Sequence, residues 1–519
     1  MEARALIDEK PFARSGALFE TLVRDLAGEP MLGRTEADVE RWVNVEALEL
    51  MRQLLQDHVD LRHAQEQRVA GGVRGADGVA RRAAREVTTK LKTSFGPIEI
   101  TRESYGTGGA QSLRPMDAAL NLPVESYSLE LQRQVARHCA QVSFESAAAN
   151  VEDSTAAHLP HRQVEQTAVR AAQDFATFYA ERRSTGGAVA DAGSEILVLT
   201  TDAKGVIMRK VDLRAATRKL ATARVQKLSK RLSRGEKRGA KRMAAVAAVY
   251  TIDPFVRTPE QIAGELRRDG HNKPVRPRPQ GKVVWASVKN EVKDVFDDLF
   301  AEALHRDPTR EKSWVALVDG NATQLELLRL HQRKHQIDLH IVVDVIHVLE
   351  YVWKAAWCFH DEGSPDAEAW VTERLLMILR GKSSDVAAGM RRSATLRGLS
   401  RSRREAVDTC ANYLLKYRAY LRYEECLAHG WPIATGVIEG ACRYLVKDRM
   451  EITGASWRLA GAEAVLQLRA LFTNGDFHAY WQFHENAELQ RNHLARYAEH
   501  RAPVVVGPAA RRAHLRVVK

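Results

Sequence analysis

In residues 311–351, EKSWVALVDGNATQLELLRLHQRKHQIDLHIVVDVIHVLEY, two apolar runs each close on an aspartate. The first, residues 314–318, leads into Asp319-Gly320. The second, residues 337–343, is interrupted only by Asp338 and His340 and leads into Asp344-Val-Ile-His347. Between them Leu325, Leu327, Leu328 and Leu330 recur at helical spacing, so the stretch reads as strand, helix, strand. Continuous apolar runs suit strands covered on both faces, and open α/β sheets place their sites at the carboxyl ends of such strands. Asp319 is therefore either a site acid or the start of an Asp-Gly turn.

Two further stretches bear on that choice. Residues 195–202, EILVLTTD, form another apolar run closing on Asp202, and Gly205 with Val206-Ile-Met208 reads as the turn and return strand of a hairpin. Downstream, Gly436-Val-Ile-Glu439-Gly-Ala-Cys-Arg443 opens a helical pattern with Ile438, Ala441, Cys442 and Leu445 on one side. Glu439, Arg443 and Lys447, at i, i+4 and i+8, occupy a neighbouring face. Three acids thus stand at strand ends or on a helix face in the order Asp, Asp, Glu.

The chain has 519 residues, 45% of them apolar, enough for two or three domains. Its 78 Lys and Arg against 66 Asp and Glu leave +12, a balance that favours a polyanionic partner such as nucleic acid. The excess is concentrated between Arg209 and Arg242, where Arg231, Arg234, Lys237 and Arg238 belong to a basic run opposed only by Asp212 and Glu236. That run reads as a nucleic-acid contact surface rather than a solvated loop. A second basic cluster contains Arg391, Arg392 and Arg397. The start of the chain lacks the apolar core of a signal peptide, and no apolar stretch is long enough to span a membrane, so a cytoplasmic, nucleoid-associated protein is expected. Cys139, Cys358, Cys410, Cys426 and Cys442 lack metal-site spacing and read as reduced core residues.

Six segments follow. Residues 1–85 carry helical patterns, one beginning near Thr35 with Leu48, Leu50, Leu54 and Leu55 on one flank. Residues 86–183 hold a hairpin around Phe95-Gly-Pro97 and then a helical block whose two helices, on either side of Leu159-Pro160, are a helix-turn-helix or an ordinary packed pair. A Gly/Ala-rich linker precedes residues 194–353, which hold the first two acids and a further strand at residues 243–252. Residues 354–430 are helical throughout, residues 431–500 carry Glu439 and the last helices, and residues 501–519 form a basic tail.

This order of acids resembles the DDE transposases with a ribonuclease H-like core, and Asp344-Val-Ile-His347 resembles the Cys/Asp-x-x-His motif of Mutator-like elements. The blocks LVDGNATQ, DVIHVLEYVWKAAWCF and ATGVIEGACRYLVKDRMEITGASWRLAGAEAVLQLRAL closely resemble the ISKra-type insertion-sequence transposases, over most of the chain. The resemblance implies an α/β RNase H-like catalytic core interrupted by an all-helical insertion, behind a mainly helical DNA-binding region containing a β-hairpin. It implies that Asp202, Asp319 and Glu439 are catalytic and hold two Mg2+ or Mn2+ ions. Three converging carboxylates repel one another and need cations, and two such ions suit in-line phosphoryl displacement. Arg443 and Lys447 would meet the scissile strand. Asp344 and His347 either support the site or contact DNA, or are a capping aspartate and a satisfied histidine. The implied partners are double-stranded DNA, as terminal inverted repeats and target, and further copies of the chain, with no membrane. Where family members often carry Cys-x-x-Cys after the hairpin, this chain reads Gly106-Thr-Gly-Gly109 and then Pro115-Met-Asp117. No structural zinc is expected, and the hairpin must hold by packing. A structure-specific nuclease and an inactive DNA-binding relative remain the alternatives, and inverted repeats flanking the coding sequence would separate them from a mobile element.

Overall fold

The computed structural model describes residues 11–185, 194–223, 239–267 and 275–505. The chain forms two compact units, Met1–Phe178 with Asp476–Lys519, and Tyr179–Gly475.

In the first unit, α1 (Ala13–Leu26) packs on the long α2 (Glu36–Ala64). Thr35 caps α2 by accepting from the Asp38 N–H, as Ser/Thr before an acidic first turn does. Leu54 is exposed, and the buried positions fall instead on Asp57 and Val59. Asp57 is held by the Ser15 N–H at 3.0 Å and by Arg14. The expected hairpin is β1 (Ala83–Thr93) and β2 (Gly96–Thr107), turning through Ser94-Phe95. A third strand, β3 (Ala110–Leu113), extends the sheet where the sequence shows no clear apolar alternation. Packing holds the hairpin through Val59, Ile98 and Ile100 on one side and Val73, Tyr105 and Leu113 on the other. An ion pair joins it too, the buried Arg102 meeting Asp117 at 2.6 Å. The helical block contains α3 (Leu129–Gln141), α4 (Phe144–Ser154) and α5 (His161–Ala171).

The second unit is a mixed α/β layer structure. Its strands are β4 (Ile196–Ile207), β5 (Lys241–Ile252), β6 (Gln280–Ser287), β7 (Ser313–Val318) and β8 (Leu339–Val343), in spatial order β8-β7-β4-β5-β6. β8, β7 and β4 are parallel, while β5 and β6 are antiparallel additions. The central strands are buried on both faces, as their unbroken apolar runs require. β4 corrects the expected hairpin at Gly205: it runs straight through, pairing with β5 from Ile196↔Ile252 to Ile207↔Lys241. Gly205 serves a close approach instead, since a Cβ there would stand 2.6 Å from the Lys241 side chain.

The remaining helices cover the sheet and form the insertion. Helix α6 (Ala215–Ala223) follows β4, α7 (Val292–Arg306) packs on β5, and α8 (Ala322–His335) joins β7 to β8. After β8 come α9 (Val345–Ala356), α10 (Pro365–Leu379), α11 (Ser383–Leu396) and α12 (Glu405–Tyr417), so residues 354–430 contain only helices and connections, as expected. Then α13 (Gly436–Ala441) runs into a π-helical segment, Cys442–Lys447, and α14 (Leu459–Asn474) packs on β6. In the first unit, α15 (Phe477–Asn492) completes the order. The linker after Thr185, residues 224–238 and the basic tail beyond residue 505 lie outside the described residues.

Candidate active site

The parallel pairing of three strands brings the aspartates together. β4 and β7 pair from Ile196↔Ser313 to Thr200↔Leu317, and the same register carried two positions further sets Asp202 beside Asp319. On the other side, the last pair is Val343↔Val318, and the Asp344 N–H donates to the Val318 carbonyl at 2.9 Å. Adjacent strands lie about 4.8 Å apart, so Asp202, Asp319 and Asp344 form one row across three neighbouring strands. Asp202 stands within β4 because β5 continues beyond it, but the parallel neighbour stops there.

Local chemistry fixes each aspartate. The Asp319 carboxylate accepts the Asn321 N–H at 2.9 Å, and Asn321 in turn caps α8. Gly320 has φ of 88° and faces the Tyr413 hydroxyl and the Tyr417 ring, so both its conformation and its surroundings exclude a side chain. Tyr413 donates to the Asp319 carbonyl at 3.1 Å. Asp344 is buried and caps α9, accepting from the Ile346 N–H at 2.8 Å. Asp202 accepts from its neighbour Ala203 at 2.6 Å and from the Cys442 thiol at 3.3 Å. Burial and the Asp202 charge push that thiol up, so it stays protonated and donates.

Glu439 joins this row from α13. Thr435 links it to Asp344: the threonine hydroxyl donates to the Asp344 carboxylate and lies 3.4 Å from Glu439. Thr435 occupies the N-cap position of α13 yet makes no cap bond, its hydroxyl being committed to the acids. Although Glu439 sits at the solvent-open rim, partial burial raises its pKa, with Asp344 and then Asp202 adding to the rise; Thr435 and His347 oppose it. His347 is half-buried on α9, edge-on to Tyr351 at 6.4 Å.

Glu439, Arg443 and Lys447 are all exposed, the latter two within the π-helical segment, where each N–H reaches back five residues rather than four. Ile438, Ala441, Cys442 and Leu445 are buried as expected, while Arg443 and Lys447 are exposed, with Arg443 3.7 Å from Asp448. Arg231, Arg234, Lys237 and Arg238 lie outside the described residues. Thr435, Cys442 and Tyr413 are the site residues that the sequence pattern does not single out. The only hint is a threonine placed just before a helix.

Among the described residues, Asp202, Asp319, Asp344 and Glu439 make no ion pair with Lys, Arg or His. Hard oxygen donors with uncompensated charge fit a divalent cation such as Mg2+ or Mn2+. No three of them bring ligand atoms within 4.8 Å of one another. Among the described residues, a group of ligand-type side chains whose donor atoms all lie within 4.8 Å is found elsewhere, Asp174, His484 and Glu488 in the first unit. That group is already neutralised. Arg491 donates to both Asp174 oxygens at 2.9 Å and to Glu488 at 2.8 Å, and Arg170 meets Glu488 at 3.0 Å. Two guanidinium groups repel a cation, so this is a clamp between helices and not an ion site.

No helix among the described residues is long and apolar enough to cross a membrane. No family model matches the sequence, and no curated protein matches it. Among solved structures, the chain is similar to the Drosophila P element transposase strand transfer complex, over 70% of this chain and 80% of that one, at 10% identity and a TM-score of 0.21. A likeness that slight carries no argument about fold or function.

Proposed function

We propose that this chain is a DNA transposase of the DDE type, akin to the ISKra-type insertion-sequence enzymes, whose α/β unit is an RNase H-like core with a helical insertion. The observation that carries the reading is the row of Asp202, Asp319 and Asp344 on adjacent parallel strands, with Glu439 beside it and, among the described residues, no ion pair to any of the four. Such a concentration of negative charge is costly to assemble and is used where cations and a phosphodiester meet.

Asp202, Asp319 and Glu439 would hold Mg2+ or Mn2+. When bound, such ions activate a water or a 3′-hydroxyl and neutralise the charge that builds on the transferring phosphoryl group. The first reaction joins the water oxygen to phosphorus and breaks the P–O3′ bond at the element end, leaving a 3′-hydroxyl. In the second, that hydroxyl oxygen bonds to a target phosphorus and displaces the target's own 3′-oxygen. Thr435 holds Asp344 and Glu439 in register, and Cys442 holds one Asp202 oxygen. Arg443 and Lys447 project from the same helical stretch to meet phosphates. Double-stranded DNA is the substrate, and joining two ends calls for more than one copy of the chain.

The test is cleavage and joining on a duplex carrying the element's own end, with Mg2+ or Mn2+. Asp202→Asn, Asp319→Asn and Glu439→Gln each abolish both reactions, whereas Asp212→Asn retains them. Full activity in any one of the three removes that residue from the site, and joining with all three replaced overturns the reading.

A further inference from the structure

Beside the Asp319 turn, α8 and the end of α12 enclose an open groove of about 400 Å³. Its lining includes Arg329, Arg333 and Glu326 from α8, Lys416 and Tyr417 from α12, and Tyr420 just beyond. Three cations therefore face one carboxylate. Among the described residues none of the three cations makes an ion pair, although they are exposed. Two are held over rings instead: the Arg329 guanidinium lies 5.2 Å from the centre of Tyr420, and the Lys416 ammonium 4.8 Å from that of Tyr417. A cation resting on an aromatic face is positioned while its N–H donors stay available. The Tyr420 hydroxyl is buried without a hydrogen-bond partner among the described residues. Arg329 and Arg333 are one helical turn apart, about 5–6 Å between their Cβ atoms, so they present two separate donor sets along one line.

The groove lies next to the Asp319 turn of the acid row. Tyr417, on its wall, packs against Gly320, and Ala322 at its mouth lies three residues after Asp319. A strand placed with a phosphodiester at Asp319 would have this wall as its neighbour.

We propose that the groove binds the sugar–phosphate backbone of the strand adjoining the reacting phosphodiester, with Arg329, Arg333 and Lys416 each on a phosphate and the tyrosines as its floor. The inference rests on the reading of the acid row as a phosphodiester site. A lone phosphate or a nucleotide shares the chemistry, but cations spread over two helices match a chain of phosphates better than one.

The experiment measures binding of the full chain to a duplex of arbitrary sequence by fluorescence anisotropy between 50 and 200 mM salt, with and without inorganic phosphate. The Arg329→Gln, Arg333→Gln, Lys416→Gln triple variant should lower the slope of log affinity against log salt by about 2 to 3 and weaken binding roughly 100-fold at the low-salt end. Glu326→Lys, which adds a cation to the same wall, should raise the slope by about 1. Millimolar inorganic phosphate should compete no better than an equal concentration of chloride. An unchanged slope in the triple variant, or in Glu326→Lys, overturns the groove assignment, and strong competition by phosphate overturns the polynucleotide as its occupant. Asp319→Asn separates this result from the reading beneath it. It should bind DNA at least as tightly as the unmodified chain while cleaving nothing, and if it cleaves normally the reading fails whatever the groove variants do.

Discussion

Two groups of carboxylates in this molecule have their charge met in opposite ways. Asp174 and Glu488 have their oxygens taken up by Arg491, Arg170, Gln173 and Asn492, with His484 Nδ1 2.7 Å from Asp174. Among the described residues, Asp202, Asp319, Asp344 and Glu439 receive only backbone N–H, O–H and S–H donors. The titration of each group follows. Burial works against the ionised form of Asp174, but His484 and Arg491 outweigh it and hold the carboxyl at about 2. Glu439 moves the other way, raised by burial and then by its acidic neighbours. Compensated acids fasten one helix to another. Uncompensated acids at strand ends keep a negative field that a cation from solution can satisfy.

The largest effect expected from this contrast is on chemistry. Asp319→Asn should lower strand cleavage by about 1000-fold or more, while shifting stability by less than about 1 kcal/mol, in the stabilising direction because repulsion is relieved. The matched change Asp174→Asn should do the reverse, leaving cleavage within a few-fold and destabilising the chain by about 2 kcal/mol. That is less than a fully buried pair would lose, because Arg491 reaches solvent. Paired denaturation and cleavage assays on the two variants decide it.

The clamp also carries a pH signature. Asp174 binds its proton less tightly folded than unfolded, so its contribution to stability is complete above the ordinary carboxylate range, near pH 4, and is lost as pH falls toward 2. Glu488, lowered by Arg491 and Arg170 against its burial, acts in the same sense. Urea unfolding at pH 5 and pH 3 should show a loss that Asp174→Asn makes shallower.

Smaller effects sharpen the acid row. Thr435→Val removes a donor from buried Asp344 and should cost about 1–3 kcal/mol in stability and roughly 10-fold in cleavage, with Thr435→Ser restoring both. An equal loss in Thr435→Ser would assign the threonine to packing alone. Smallest is Arg443→Gln. Exposed and only loosely paired with Asp448, it should leave stability unchanged and lower the salt slope of DNA binding by about 1.

Much of the acid row was legible in the sequence because buried parallel strands are written as apolar runs, and those at Asp202, Asp319 and Asp344 end on a charge. The helical filling of residues 354–430 was legible from periodicity. Other features were not. Gly205 reads as a turn, yet it serves the side chain of Lys241 on a strand paired across 36 residues, a long-range fact with no local sign. β6 carries only a short apolar core after a proline-rich stretch and does not stand out, whereas α7 is legible, its buried Val295, Phe296, Leu299, Phe300 and Ala303 recurring at helical spacing. The π segment after Glu439 leaves the apolar spacing intact, so nothing in the local sequence announces it. The Asp174 clamp joins residues more than 300 positions apart, which no motif encodes.

The central claim is that the uncompensated acids, and not the compact Asp174 group, attract the ion. Mn2+ binding to the full chain, followed by electron paramagnetic resonance with the unmodified protein, Asp319→Asn and Asp174→Asn side by side, tests it most directly. The account predicts that binding is lost or greatly weakened in Asp319→Asn and kept in Asp174→Asn. Binding that survives Asp319→Asn and disappears with Asp174→Asn would contradict it.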